Sequence, residues 1–456
     1  MTTLKKYQRK GVRQIERFNG RALLADEQGL GKTIQVLAWC KKHPELRPII
    51  VVCPAIVKWV WKSQAQKHVG IRSTILSGRK PLKTGFHSHH PLIIINYDIL
   101  QYWGKYLRKL KPKVILIDES HKIKNPSAGR TKAVRKLCKK VPHVIAIGGT
   151  PLTNKPVELF PTLNILFPKK FGNFFQFARK YSHPKKRRWG WDFSKTRNLD
   201  KLHARLKRLC MIRRLKKKVM KGMPPKKRLV IPLEISNRKE YQHAEEDFIR
   251  WLSKRSYRQS RRAKKAIELV KVGHLKRLAA ELKLPAVYDW IDNFLESTDE
   301  KLVVFVLHKK IMASLRERYS KISVHIDGSV STKKRKSAIR AFRNKSRIRI
   351  LFGQSDAIGV GTDGLQKVCS NGVFVEIGWT PADIGQPEDR LHRIGQKYRV
   401  HITILVARKT IEERLCKIIQ HKQRILNETL DGSGDDDGNK LDIYKELLRQ
   451  LRRRQR

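Results

Sequence analysis

Acidic residues are scarce in this chain: 39 Asp and Glu stand against 102 Lys and Arg among 456 residues, a formal net charge of +63. A polypeptide so one-sided repels itself unless a polyanion screens it, and it attracts phosphate backbones strongly at low salt. Charge alone does not separate one nucleic acid from another, and part of it simply aids solubility. Cysteine is also sparse. The six (Cys40, Cys53, Cys138, Cys210, Cys369, Cys416) are scattered without a Cys-x-x-Cys pair. That spacing argues against a zinc module or a disulfide framework and for buried free thiols in a reducing compartment. The sixteen histidines form no cluster with ligand spacing, so no structural metal is expected. Long apolar runs are missing, and the opening MTTLKKYQRK lacks the apolar core of a signal peptide. Neither a membrane span nor a secretory leader is therefore expected, and the location is expected to be intracellular.

What is present is a globular composition, 40% hydrophobic and 31% charged. Short Val/Ile/Leu runs recur at 49–53, 92–95, 114–117 and 144–147, and again at 302–307, 348–352, 373–377 and 402–406. Each precedes a turn signal and a longer helix-like segment. Continuous apolar runs of this length predict parallel strands covered on both faces. Because the pattern appears twice, the expected fold class is α/β with two doubly wound parallel-sheet lobes and a basic, largely helical segment between them. The expected boundaries are 1–235 for the first lobe, 236–285 for the helical segment, 286–430 for the second lobe, and 431–456 for an acidic linker and basic tail. Between 205 and 228 lie twelve basic residues and no acid. Residues 236–282 add Arg261, Arg262, Lys264, Lys265, Lys271, Lys276 and Arg277. Either a solvated helix face or a phosphate-tracking surface accounts for them.

Three motifs carry chemistry. After the apolar Leu23-Leu24-Ala25 comes Asp26-Glu27-Gln28-Gly29-Leu30-Gly31-Lys32-Thr33, and then a helix ending before Pro44. Glycines let the backbone pass close to phosphate oxygens, and N–H groups at the helix start point at them. Lys32 is placed to bind the β- and γ-phosphates of a nucleotide, and the Thr33 hydroxyl to ligate Mg²⁺. Asp26 stands where the general pattern has its first glycine. The second motif, Asp118-Glu119-Ser120-His121, closes the run at 114–117. A carboxylate at a parallel strand's carboxyl end faces the crevice where ligands bind. Asp118 suits Mg²⁺ held through water, Glu119 suits a general base on the attacking water, and His121 lies where it can sense the γ-phosphate. The third motif is QPEDRLHRIGQ at 386–396. Arg390 and Arg393, three apart on an expected helix, project to one side and suit charge neutralisation on a departing phosphoryl group. Gln8 is a candidate for the adenine edge, and Gly148-Gly149-Thr150-Pro151 ends another apolar run.

These residues, in this order, resemble the helicase superfamily 2 core with its RecA-like lobes, and within it the Swi2/Snf2 ATPases. DEQGLGKTIQ, VVCPAIVKWVWKSQ, INYDIL (95–100), DESHKIKN (118–125), GGTPLTN (148–154), VFVLHK (304–309), HIDGS (325–329) and the arginine segment carry the resemblance across residues 4–425. WGWDF (189–193) and RRLKKKV (213–219) look most like the compact SMARCAL-type annealing-helicase branch. The chain departs from the family pattern in three places. GGTP replaces TGTP, AIGVGTDGLQ (357–366) replaces a more glycine-rich segment, and Pro387 stands where Ala is common.

The resemblance implies ATP-driven translocation on double-stranded or branched DNA by a monomeric motor with Mg²⁺, possible tasks being replication, repair and recombination. It adds Gly361, Asp363 and Gln386 to the nucleotide contacts. Asn96, Thr150, Lys309, Ser329, Arg213 and Arg214 become the expected nucleic-acid contacts. The location would then be wherever DNA is, nucleus or nucleoid. An RNA helicase of the same superfamily and a non-catalytic nucleic-acid packaging protein are the competing readings. DESH in place of DEAD, DEQGLGKT and the HRIGQ ending favour the DNA motor over the first. Lys32, Asp118, Glu119, Arg390 and Arg393, all present, argue against the second.

Overall fold

A computed structural model describes residues 3–81, 91–149, 151–152, 155–187, 190–193, 195–253, 261–358 and 364–431. The linker and tail expected beyond Asp431 lie outside them. The chain divides into two compact units, each taken here by itself. The first comprises Met1–Lys185, Asp192–Gly222 and Arg424–Lys440, and the second is built mainly from Met223–Gln423.

The first unit holds β1 (Arg21–Leu24), β2 (Ile49–Cys53), β3 (Ser73–Ile75), β4 (Leu92–Asn96), β5 (Val114–Asp118) and β6 (His143–Ile147). The short β7 (Lys185–Arg187) and β8 (Gly190–Asp192) pair as a separate ribbon, and β9 (Met211–Ile212) returns to the main sheet. The order is β3-β4-β2-β5-β6-β1-β9, with every pair parallel. All five side chains of β2 and the first four of β5 are buried, as the continuous apolar runs require of strands covered on both faces. Each fully buried aliphatic side chain contributes about 1.5–3 kcal/mol relative to exposure. In register, Leu24 and Asp118 both pair with Ile147 of β6. The carboxyl ends of β1 and β5 therefore lie level at one edge of the sheet.

The second unit contains β10 (Lys226–Leu233), β11 (Leu302–Val306), β12 (Ser323–Ile326), β13 (Ile350–Gln354), β14 (Asn371–Phe374) and β15 (Val400–Ala407), ordered β10-β15-β14-β11-β13-β12. These pairs are parallel as well. The unit begins at Met223 rather than after residue 235, because β10 pairs along its length with β15, from Lys226↔Val400 to Leu233↔Ala407. The segment expected between the lobes is helical, with helices Arg238–Ser253 and Arg261–Leu282. Its apolar side belongs to the second unit: Tyr241, Phe248, Val272 and Leu275 share a core with Phe305, Leu351 and Phe374. Lys283 is fully buried against Glu412 and donates to the Leu405 carbonyl at 2.9 Å.

Candidate active site

The phosphate loop runs from the end of β1 into α2 (Lys32–Lys42), which follows α1 (Lys6–Arg17) in the chain. Gly31 caps α2 in the left-handed region at φ 73°, a conformation that costs an L side chain about 1–2 kcal/mol. The turn thus needs glycine where the motif has it, and Gly29 is left-handed too, at φ 85°. Lys32 is the first residue of α2, and its Nζ donates to the carbonyls of Asp26 at 3.0 Å and Glu27 at 3.5 Å. Burial pushes its ammonium below the ordinary lysine range, and the carboxylates of Glu119, Asp26 and Asp118 work against that shift. Thr33 follows in the first turn of α2.

Asp118 closes β5. Its Oδ2 accepts from the Trp61 indole at 2.8 Å, its Oδ1 accepts from the Glu119 N–H at 3.0 Å, and Tyr97 donates its hydroxyl to the Asp118 carbonyl. Burial, and after it the neighbouring Glu119 carboxylate, pushes the Asp118 carboxyl up to about 6; the indole and Lys32 pull the other way. Glu119 has φ 52°, a left-handed backbone rare for a residue with a side chain. Such strain persists only where the surroundings hold it, and it gathers at functional sites. Its Oε2 lies 3.3 Å from Nδ1 of His121, both side chains being largely buried.

Gln8, on α1, is buried against the phosphate loop. Its Nε2 donates to the Leu30 carbonyl at 3.2 Å and its Oε1 accepts from the Lys5 N–H at 2.9 Å. The residue expected at the adenine edge is thus beside the loop, with both ends of its amide bonded to backbone.

Arg213 and Arg214 do not present themselves as nucleic-acid contacts, because both turn into the unit. Arg214 donates from Nε to Asp26 Oδ1 at 2.8 Å and from Nη2 to Asp26 Oδ2 at 2.5 Å and Gln35 Oε1 at 2.7 Å, and it also reaches the Tyr7 carbonyl. Asp26 is fully buried and accepts a third bond from Gln35 at 3.0 Å. This carboxylate, standing where a glycine is usual, would be costly without its guanidinium partner. Gly11 of α1 is the close-approach point: a Cβ there would lie 2.0 Å from Gln35 Oε1 and 2.5 Å from Arg214 Nη2. Arg213 donates to the carbonyls of Ala25 at 2.8 Å and Gly149 at 3.0 Å, joining the segments after β1 and β6. Lys216, nearly fully buried, gives its N–H to Glu27 at 2.7 Å. Lys276 is likewise nearly fully buried, its ammonium 4.9 Å from the centre of the Trp379 ring. Asn96, at the end of β4, is buried and donates to Asp98 at 3.3 Å.

In the second unit, the described candidates follow the carboxyl ends of strands: Lys309 after β11, Ser329 after β12, and Gln386, Arg390 and Arg393 after β14. Ser329 is exposed, its hydroxyl donating to Asp327 at 2.6 Å. Arg390 and Arg393 are not on a helix as expected. Helix Pro381–Glu388 stops two residues before Arg390, with Pro387 inside it. Past Glu388 the chain tightens, Arg390 N bonding the Pro387 carbonyl and Leu391 N the Glu388 carbonyl, both at 3.0 Å, in the i→i+3 closure common at a helix end. The arginine segment is fixed from beneath. Glu388 is buried and accepts from Lys226 and Arg228 of β10, and His392 bonds the Pro224 carbonyl at 2.9 Å. Gln396 donates to the carbonyls of Cys369 and Leu391. Thr150, Gly361 and Asp363 lie outside the described residues.

Trp61, Tyr97, Gln35 and Glu388 were not singled out from the sequence. Each lies in a segment quoted for the family pattern: Gln35 in DEQGLGKTIQ, Trp61 after Pro54, Tyr97 in INYDIL and Glu388 in QPEDRLHRIGQ.

A family model for the SNF2-related domain matches residues 7–283, and one for the helicase conserved C-terminal domain matches 283–395. The SWI/SNF-related matrix-associated actin-dependent regulator of chromatin subfamily A-like protein 1 of Xenopus tropicalis is 32% identical over 437 residues, which cover 94% of this chain and 45% of that protein. Human DNA annealing helicase and endonuclease ZRANB3 is 30% identical over 450 residues, covering 93% and 40%. The chain thus spans less than half the length of these two relatives. The Sulfolobus solfataricus SWI2/SNF2 ATPase core in complex with dsDNA aligns at 22% identity with a TM-score of 0.46, covering 99% of this chain and 96% of that chain. No helix among the described residues is long and apolar enough to cross a membrane.

Proposed function

The chain belongs to the SNF2-related family of helicase-like proteins, and from that premise we propose that it is an ATP-driven motor that moves along double-stranded DNA. The observation that carries this reading is the carboxyl edge of the first sheet. There the left-handed glycine turn that opens α2 at Lys32 leaves the end of β1, which lies level with the partly buried Asp118 beside the strained Glu119.

In this reading Lys32 exchanges the carbonyls of Asp26 and Glu27 for β- and γ-phosphate oxygens. N–H groups at the start of α2 add an anion site supported by the helix dipole. Glu119 accepts the proton of the attacking water, with His121 beside it to hold its carboxylate. Thr33 and Asp118 offer hard oxygen donors that fit Mg²⁺, and a buried carboxyl raised to about 6 is a group that a cation would stabilise. Such an ion would supply charge neutralisation on the β- and γ-phosphates. Arg390 and Arg393, in the second unit, are the cations suited to counter the charge that develops on the departing phosphoryl group. Backbone phosphates of the duplex are what the motor grips, and ATP turnover drives that grip along the strand. Phosphate contacts carry no sequence information, so sequence preference is expected to be slight.

ATP turnover measured without nucleic acid, with linear duplex, with branched DNA and with RNA tests the proposal. Strong stimulation by duplex or branched DNA is expected. Greater stimulation by RNA would favour an RNA helicase, and no turnover under any condition would favour a packaging protein.

A further inference from the structure

A cavity of about 880 Å³ opens on the first unit, away from the phosphate loop. Its floor is organised by Arg21, which opens β1 and spends its guanidinium on four carbonyls: Leu166 at 2.6 Å, Ile165 and Val141 at 2.9 Å, and Pro142 at 2.8 Å. Val141 and Pro142 lead directly into β6, so the cavity lies at the amino edge of the sheet. The nucleotide loop leaves the carboxyl end of the same β1, one strand length away, about 13 Å for four residues.

Six further cations line it: Lys132, Arg135, Lys136, Lys139, Lys169 and Lys170. All six are exposed, no acidic residue lines the cavity, and none of the six forms an ion pair among the described residues. Four of them follow i, i+3, i+4, i+7 spacing along helix Gly129–Cys138 and its capping residue, which puts them on one face. That stripe is about 10 Å long at 1.5 Å per residue. Compensation of the helix dipole accounts for cations in the last turn but not for Lys132 in the first, where positive charge is disfavoured. A row of uncompensated like charges over an apolar floor holding Phe167 repels itself unless a polyanion lies along it.

We propose that this cavity is a second DNA contact, in which the phosphates of one duplex strand lie along the face of Lys132, Arg135, Lys136 and Lys139, with Lys169 and Lys170 on the facing wall. The inference rests on DNA being the motor's partner but assigns a surface outside the ATP-driven track. It would anchor the motor to a neighbouring stretch of duplex while the carboxyl edges do the stepping.

The test compares wild type with the quadruple variant Lys132→Ala, Arg135→Ala, Lys136→Ala, Lys139→Ala. A matched control, Lys333→Ala, Lys334→Ala, Lys336→Ala, Arg340→Ala, removes four exposed cations elsewhere. Alanine on an exposed helix keeps the fold, which circular dichroism checks. Affinity for a long duplex is measured from 50 to 200 mM salt. Each lost phosphate contact removes about 0.9 from the slope of log K against log salt, so the cavity variant, with four cations gone, should be shallower by up to about 3.6. The control should change less, and ATP turnover at saturating duplex should stay within about twofold of wild type. An unchanged slope, an equal loss in the control, or loss of DNA-stimulated turnover at saturation would each overturn the assignment. Absence of DNA stimulation in the wild type would instead overturn the motor reading, while the slope comparison still decides the cavity.

Discussion

Replacing Arg214 by alanine separates two roles for the same residue. As a nucleic-acid contact it would leave folding untouched. As a partner of Asp26 it holds a fully buried carboxylate through two hydrogen bonds at 2.8 and 2.5 Å. Arg214→Ala leaves Asp26 with the Gln35 amide alone, and Gln35 Oε1 loses its donor at 2.7 Å. Breaking a buried pair by removing one partner costs about 3–5 kcal/mol, because the remaining charge stays desolvated. The expected loss is therefore about 4 kcal/mol, nearly a thousandfold in the folding constant of the first unit. Denaturant unfolding followed by the fluorescence of the buried Trp39, Trp61 and Trp103 reads this unit. A cycle with Asp26→Asn and the double variant isolates the pair, and a coupling of about 2–3 kcal/mol is expected for groups in one network. If Arg214→Ala cost no more than about 0.5 kcal/mol, as a surface change does, while reducing the salt slope of DNA binding by about 0.9, the buried-pair argument would be refuted.

Gly11→Ala should destabilise the same unit even though alanine is the better helix former by about 1 kcal/mol, because its Cβ would meet Gln35 and Arg214 at 2.0 and 2.5 Å. A gain in stability would contradict that packing. Lys32→Ala and Arg393→Ala should each abolish ATP turnover with DNA affinity nearly intact, as filter binding beside a phosphate-release assay would read; residual turnover in either would remove that residue from the chemistry. In the second unit, burial works to raise the Glu376 carboxyl, but bonds from His308 and the N–H groups of Leu307 and His308 hold it below its ordinary 4.5. A depressed folded-state value stabilises above the unfolded value and is lost as pH falls through the folded one. His308→Ala should therefore flatten the acid-side loss of stability below pH 4.5, and an unchanged slope in an acid titration of unfolding would count against the pair.

The parts of the molecule that were legible in the sequence are those whose causes are local. A buried parallel strand needs an unbroken apolar run, and 49–53, 92–95 and 114–117 supply one each. The phosphate loop needs glycine at left-handed positions beside a helix start, and residues 29–33 are contiguous. β10 was missed as part of the second lobe because KKRLVIPL opens on three cations and its apolar stretch is broken by Pro232, and its side chains stay largely exposed at the sheet edge. The helix expected to carry Arg390 and Arg393 ends at Glu388, where the chain tightens into i→i+3 bonds. An i, i+3 spacing of arginines does not register where a helix stops.

The basic run at 205–228 holds the larger lesson about charge. As a row of letters it looked like a surface for phosphates, because its acids lie elsewhere in the chain. Asp26 is 188 residues from Arg214, Glu27 is 189 from Lys216, and Glu388 is 160 from Arg228. Arg205, in the same run, lies 4.5 Å over the Phe171 ring and donates to the Tyr181 hydroxyl. Few acids exist in the chain, and several of them are buried exactly where a cation from this run can reach. Net charge therefore overstates the free positive surface here and understates it at Lys132–Lys139, where no acid comes back to meet the row. The residues of this chain that await a polyanion are identified by the absence of an internal partner and not by local density of lysine and arginine. On that criterion the amino-edge cavity is a stronger candidate for the proposed DNA contact than Arg213 or Arg214.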